Sequence, residues 1–92
     1  MNAKNAKRVS YDIGCMKSLR KLPDRVTAKF MDMMTRYMSD PSTKGLNLET
    51  VEGARDNSIK SLRVDQGYRA IAFEVGWDIM FVHVNEHDKA YR

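Results

Sequence analysis

Hydrophobic and polar positions alternate at the start of the chain and then change to a helical spacing. Residues 8–13 alternate, which predicts a first strand closed by Gly14. Apolar residues at positions 16, 19 and 22 then predict a short basic helix, which Pro23 ends because proline cannot continue the helical hydrogen-bond ladder. The first seven residues are polar, and we expect them to be flexible.

A second helix is predicted between two clear boundaries. Asp24 can cap its start, and it should end near Ser39 because Pro41 disfavours helical geometry in the residue before it. Its apolar residues form one stripe, which favours packing against a core. Four methionines in this helix leave an alternative open, an adaptable binding surface: Met31, Met33, Met34 and Met38.

The last third of the chain has the pattern of a strand meander. Residues 40–45 have the composition of a loop, and 46–55 show no clear pattern. Three strands are then predicted: 58–64, 68–75 and 77–84. Tight turns at 65–67 and at Gly76 join them. The third is apolar on both faces, which predicts a covered, interior position, and the polar residues 85–88 after it predict the start of a helix.

The predicted order of elements is β-α-α-(irregular)-β-β-β-α. This order indicates one α+β domain over residues 1–92, in which the two N-terminal helices pack on one face of a mainly antiparallel sheet. The other face of such a sheet is free to hold a partner or a substrate.

Composition narrows the class of protein. The chain has 92 residues, of which 42% are hydrophobic and 30% charged, a globular balance. Its longest apolar stretch is too short to span a bilayer, and its start lacks the apolar core of a signal peptide, so we expect no membrane association. Cys15 is the only cysteine, which fits a reducing cytoplasm, and we expect it to be a buried small hydrophobic residue.

The net charge of +4 permits a nucleic acid or an acidic protein as partner, although solubility alone also explains it. Arg63 and Arg69 lie on either side of the predicted turn at 65–67, so they should be close together and could hold a phosphate. Tyr68 and Tyr91 could stack on bases. In the alternative interpretation, both arginines form surface ion pairs with nearby carboxylates: Asp65, Glu74 or Asp88.

The two histidines suggest acid–base chemistry more than metal binding. His83 lies in a predicted strand and His87 at the start of a predicted helix, so they lack the shared helical face of a zinc pair, and we expect no metal. His87 could act as an acid or a base, since imidazole titrates near neutral pH. Alternatively, Asn85 or Glu86 caps the helix and His87 is only exposed.

Several short strings together resemble the RelE/ParE toxin superfamily: LRKLP at 19–23, DPS at 40–42, GLNLE at 45–49, SLRV at 61–64, GYRAI at 67–71 and HDKAY at 87–91. The similarity spans nearly the whole chain and is greatest to RelE-like domains that occur alone or attached to UvrD-type DNA helicases. It implies a small α/β fold and one of two activities. RelE-type members cleave messenger RNA in the ribosomal A site without metal or cofactor, whereas ParE-type members inhibit DNA gyrase, and an antitoxin neutralises both.

The resemblance also implies roles for particular residues. Arg69 matches the arginine of the family's Tyr-Arg element, Tyr91 matches a C-terminal tyrosine, and His87 lies where such toxins carry another basic residue; these three are the candidate catalytic residues. The candidate substrate-binding residues are Lys60, Arg63 and Tyr68. Two positions that are lysines in RNA-cleaving relatives, and one that is commonly arginine, differ here: Ile59, Ser61 and Asn85.

The sequence therefore predicts the toxin of a type II toxin–antitoxin pair, acting in the cytoplasm as a ribosome-associated endoribonuclease. The alternative is a binding module without catalysis, either a gyrase inhibitor or an accessory domain of a UvrD-type helicase. The predicted final helix stops after about one turn, which leaves room for the helicase version.

Overall fold

A computed structural model describes residues 8–39, 48–51 and 57–86. These residues form two helices and five strands: β1 (Arg8–Tyr11), α1 (Ile13–Lys21), α2 (Asp24–Ser39), β2 (Glu49–Thr50), β3 (Ile59–Asp65), β4 (Tyr68–Val75) and β5 (Asp78–Glu86). None of the helices in these ranges is long and apolar enough to cross a membrane. The predicted flexible start, the loop at 40–45 and the helix from 87 lie outside the described residues.

The five strands form one mixed sheet in the order β1-β5-β4-β3-β2. β1 runs parallel to β5, and every other pair of neighbours is antiparallel. The prediction of a mainly antiparallel α+β sheet is confirmed. β5 lies between β1 and β4, so its predicted interior position is also confirmed.

The two helices and one face of the sheet share a single core. α2 buries the stripe that its spacing predicts, and the sheet buries alternate residues of its strands against it. Phe30 lies at the centre, with its ring edge-on to Phe81 at a centroid distance of 5.2 Å and to Tyr11 at 6.2 Å. Tyr11 in turn stacks on Phe81 at 6.1 Å. This aromatic cluster joins α2, β1 and β5.

The four methionines of α2 differ in burial. Met34 is buried and Met33 packs partly against the core, whereas Met31 and Met38 are exposed. Cys15 is buried, as predicted, and burial together with the nearby charge of Asp12 raises the pKa of its thiol to about 11. A thiol with that pKa stays protonated at neutral pH, so it packs as a small hydrophobic group.

The first strand is shorter than predicted, because the residue that caps α1 follows directly after it. β1 ends at Tyr11, and Ile13 belongs to α1 and not to the strand. The Asp12 carboxylate accepts a hydrogen bond from the Gly14 N–H at 3.1 Å, which satisfies a donor at the start of α1. Ile13 is therefore largely exposed instead of packed in a strand.

Two further boundaries differ from prediction. The segment without a clear pattern contains β2, which pairs antiparallel with β3. β5 continues to Glu86, so Asn85 and Glu86 belong to a strand and do not begin a helix. In both places, pairing with a neighbouring strand supplies the hydrogen bonds that favour the extended form.

β5 contains a bulge beside α1. Ile71 pairs with His83 and Ala72 with Phe81, so Val82 is an extra residue between them. The Val82 carbonyl oxygen would lie only 3.1 Å from a Cβ at position 14, closer than most such contacts. Gly14 therefore allows the start of α1 to approach the bulged strand.

Candidate functional site

The sheet face opposite the helices carries a polar cluster at the end nearest the β3–β4 turn. Successive side chains of a strand point to opposite faces, so residues that pair across strands share a face. Two rows of paired residues cross β3, β4 and β5 here: Ser61–Ile71–His83 and Arg63–Arg69–Asn85. We call this polar region the open-face site.

Arg63 and Arg69 are direct cross-strand partners, as their positions around the turn predict. Like charges directly opposite each other destabilise a sheet, so such a pair needs a nearby counter-charge or an anionic ligand. The two side chains differ in environment, because Arg63 is exposed whereas the Arg69 side chain is only 13% exposed. Arg63 is thus the accessible charge of the pair, and Arg69 the enclosed one.

Arg69 contacts Glu49 and Ser61, neither of which the sequence predicted as its partner. Its guanidinium Nη1 donates to the Glu49 carboxylate Oε1 at 2.8 Å and to the Ser61 hydroxyl oxygen at 3.0 Å. Glu49 lies on β2 opposite Ser61, which places its carboxylate on the same face. The ion pair of Arg69 therefore reaches across β3 to the edge strand, a partner absent from the predicted alternatives.

Glu49 is an ionised carboxylate at this site. The hydrogen bond from Arg69 and the charge of that residue lower the pKa of Glu49 from its ordinary value of 4.5, and the charge of Arg63 adds to the effect. A carboxylate in this state balances part of the positive charge that the two arginines bring to the open-face site.

This lowered pKa predicts a stability change in acid. Because the folded-state pKa lies below the unfolded value of 4.5, Glu49 contributes stability above that pH and loses it as the pH falls through the folded value. We expect wild type to have a higher thermal midpoint than Glu49→Gln at neutral pH, and the difference to disappear in acid. Thermal melts of both proteins across that pH range measure it; a difference that grows in acid would contradict the assignment.

The other sequence-predicted residues divide between two locations. Lys60 points to the opposite side of β3 from Ser61, where its Nζ contacts the Thr50 hydroxyl oxygen at 3.3 Å, so it does not join the two arginines. Tyr68 also faces the helix side and packs partly against the core. His87 and Tyr91 lie outside the described residues and stay predictions.

A groove brings Tyr68 back to the arginines. It has a volume of about 910 Å³ and extends around the β3–β4 turn to α2. Arg63, Tyr68 and Arg69 line it on the sheet side, and Lys29 and Met33 line it on the helix side. Three cations and an aromatic ring along one open groove are the side chains expected for a single-stranded nucleic acid.

Asp65 at the turn is the anionic group of this groove. It contacts Lys29 Nζ at 3.2 Å and Arg25 Nε at 3.4 Å, so its ion pairs join the turn to α2. A hydrogen bond from the Gln66 backbone and the one from Lys29 lower the pKa of Asp65. Asp65, one of the three acidic partners predicted for Arg63 or Arg69, therefore pairs with α2 instead.

His83 is better suited to hydrogen bonding than to carrying charge. Burial lowers its pKa, so its imidazole is neutral at pH 7. Among the described residues, no group of three or more His, Cys, Asp or Glu side chains could hold a metal ion.

Comparison with known proteins gives a likeness in structure. No family model matches the chain, and no curated protein matches its sequence. The RelB–RelE antitoxin–toxin complex from Methanococcus jannaschii contains a similar chain, 17% identical, with a TM-score of 0.70 over 89% of this chain and 94% of that one. This chain has the RelE fold.

Two other solved structures extend the likeness. The RelE–RelB complex from Pyrococcus horikoshii matches at 21% identity and a TM-score of 0.64, covering 92% of this chain and 99% of that one. The isolated E. coli RelE toxin matches at 15% identity and a TM-score of 0.60, covering 88% and 84%. At these identities the likeness establishes the RelE fold, which confirms the fold that the sequence motifs implied.

Proposed function

We propose that this protein is the toxin of a type II toxin–antitoxin pair and that it cleaves messenger RNA on the ribosome. The observation that carries the proposal is the pairing of Arg63 with Arg69 at the end of the sheet face opposite the helices, within a RelE fold. The groove beside them supplies Tyr68 and Lys29 for an extended RNA strand. The helices cover the opposite face, and the groove continues from the arginines around the β3–β4 turn to α2.

In the proposed reaction, the 2′-hydroxyl of the RNA attacks the neighbouring phosphorus, and the 5′-oxygen leaves with a proton. Arg63 and Arg69 stabilise the negative charge that develops on the phosphate oxygens. His87 moves the proton as acid or base, and Tyr91 orients the substrate. The Lys60 side chain lies on the other side of β3. Its proposed contribution to RNA binding therefore acts at longer range.

The proposed protein partner is a cognate antitoxin. The similar chains from Methanococcus jannaschii and Pyrococcus horikoshii were solved in RelB–RelE complexes. A protein of the same fold with a net charge of +4 is suited to an acidic binding segment.

A second candidate function is supported by the pairing of Arg69 with Glu49. This ion pair leaves Arg63 as the accessible cation of the two, so transition-state stabilisation would be weak. The protein would then act by binding alone, as a DNA gyrase inhibitor or as an accessory domain of a UvrD-type helicase. Inhibition of gyrase supercoiling that persists in His87→Ala would support the gyrase version.

The test is cleavage of messenger RNA by the purified protein in the presence of ribosomes, mapped by primer extension. We expect cuts within the A-site codon that weaken strongly in His87→Ala and in Tyr91→Ala. Arg36→Ala is the matched control, because Arg36 lies on an exposed turn of α2 and pairs with Asp32. Absence of A-site cuts, or cuts that persist in both variants, would contradict the proposal.

A further inference from the structure

The contact between Arg69 and Glu49 has the geometry of an arginine bound to an anion. The distance of 2.8 Å from Nη1 to Oε1 is typical of a charge-assisted hydrogen bond to a carboxylate, and phosphate oxygens accept from arginine at the same distance. The same nitrogen also donates to the hydroxyl oxygen of Ser61 at 3.0 Å, and the almost complete burial of that residue holds the guanidinium in place. Arg69 is therefore a fixed anion-binding group, and Glu49 is the anion bound to it.

The two partners are not equally fixed. The Glu49 side chain is 56% exposed, whereas that of Arg69 is 13% exposed. Glu49 is carried by a strand of two residues at the edge of the sheet, whereas Arg69 lies on β4, the central strand. If a second anion approaches, Glu49 can turn into solvent, whereas Arg69 stays in place.

We propose that Glu49 occupies the phosphate position of Arg69 in the free protein, as an internal counter-ion that an RNA phosphate displaces on binding. The inference rests on the proposed function, since it takes RNA as the ligand of the open-face site. Two anions that share one guanidinium repel each other, so displacement is favoured over joint binding. Arg63, exposed beside this position, makes the first contact with RNA, and Arg69 is engaged when Glu49 leaves.

The inference predicts tighter RNA binding when the Glu49 charge is removed. In Glu49→Gln, the neutral amide can still accept from Arg69 but no longer repels phosphate, so the Kd should fall by about fivefold to tenfold. Fluorescence anisotropy with a short labelled single-stranded RNA, at low salt and without ribosomes, measures it. In an Arg69→Ala background the effect of Glu49→Gln should shrink to below about twofold, because the site that Glu49 fills is gone.

Asp78→Asn is the matched control. Asp78 is 57% exposed and pairs with Arg8 at 2.9 Å, so the variant removes the same charge from an arginine–carboxylate pair at the other end of the sheet. It should change the Kd by less than about twofold. Glu49→Asp supplies a second test, because its shorter carboxylate keeps the charge but reaches Arg69 less well, and its Kd should lie between those of wild type and Glu49→Gln.

Three results would overturn the inference: Glu49→Gln binds RNA no more tightly than wild type, Asp78→Asn tightens binding equally, or the effect of Glu49→Gln persists without Arg69. If Glu49→Gln instead loses ribosomal cleavage at unchanged RNA affinity, Glu49 takes part in the reaction and is not a competitor. If Glu49→Gln binds more tightly but no variant cuts messenger RNA, the proposed cleavage fails and the displacement stands.

Discussion

Phe30→Ala should lower the free energy of unfolding by about 3–5 kcal/mol, the cost typical of removing a buried aromatic ring. Phe30 is fully buried and makes edge-on contacts with Phe81 at 5.2 Å and with Tyr11 at 6.2 Å. Alanine leaves a cavity where α2, β1 and β5 meet. A domain of this size has roughly 5–15 kcal/mol of stability in all, so the variant should be close to unfolding. Urea denaturation at neutral pH, followed by circular dichroism, measures the change.

Met31→Ala is the control for this change. Met31 is the next residue along α2, but its side chain is 47% exposed, so the same helix loses little contact. Its effect should stay within about 0.5 kcal/mol. A Phe30→Ala protein as stable as Met31→Ala would show that the aromatic cluster is not the centre of the core.

Arg69→Ala should reduce ribosome-dependent cleavage by about 10²–10³-fold, the range seen when one preorganised donor to a developing oxyanion is removed. The protein should still fold, since the partner left without its cation, Glu49, is largely exposed to water. Arg69→Lys should restore only part of the activity, because an ammonium group lacks the planar fork that binds phosphate at two points. Single-turnover cleavage on programmed ribosomes measures these rates.

Arg63→Ala separates binding from chemistry in the same assay. Arg63 is exposed, so its loss should weaken RNA binding more than it slows the chemical step. If Arg69→Ala cleaves as fast as wild type at saturating ribosomes, then the second guanidinium has no part in the reaction.

The meander and α2 could be predicted because local signals define them. Turn residues separate β3, β4 and β5, and a stripe at helical spacing, bounded by Asp24 and Pro41, defines α2. β2 could not be predicted, since a two-residue strand exists only through its pairing with β3. The start of α1 was misassigned because alternation continued past Asp12, whose side chain caps the helix.

The same distinction applies to the open-face site. The proximity of Arg63 and Arg69 follows from a hairpin, which joins residues close in sequence. The contact between Arg69 and Glu49 spans twenty residues and depends on the register of an edge strand, so no local pattern indicates it. A carboxylate in the GLNLE string was the only signal, and nothing in the sequence gave it a partner.

The extra residue in β5 decides which chemistry each face of the sheet receives. Ile79 and Phe81 point into the core, and unbroken alternation would send His83 and Asn85 the same way. The bulge at Val82 reverses the phase, so that Val84 enters the core while His83 and Asn85 reach the open face. This one extra residue therefore decides where the two polar side chains lie. With it they reach the site, and without it they would be buried against α1. If this chain is aligned with one that lacks the extra residue and no gap is placed at Val82, residues that lie on opposite sides of the sheet will be paired.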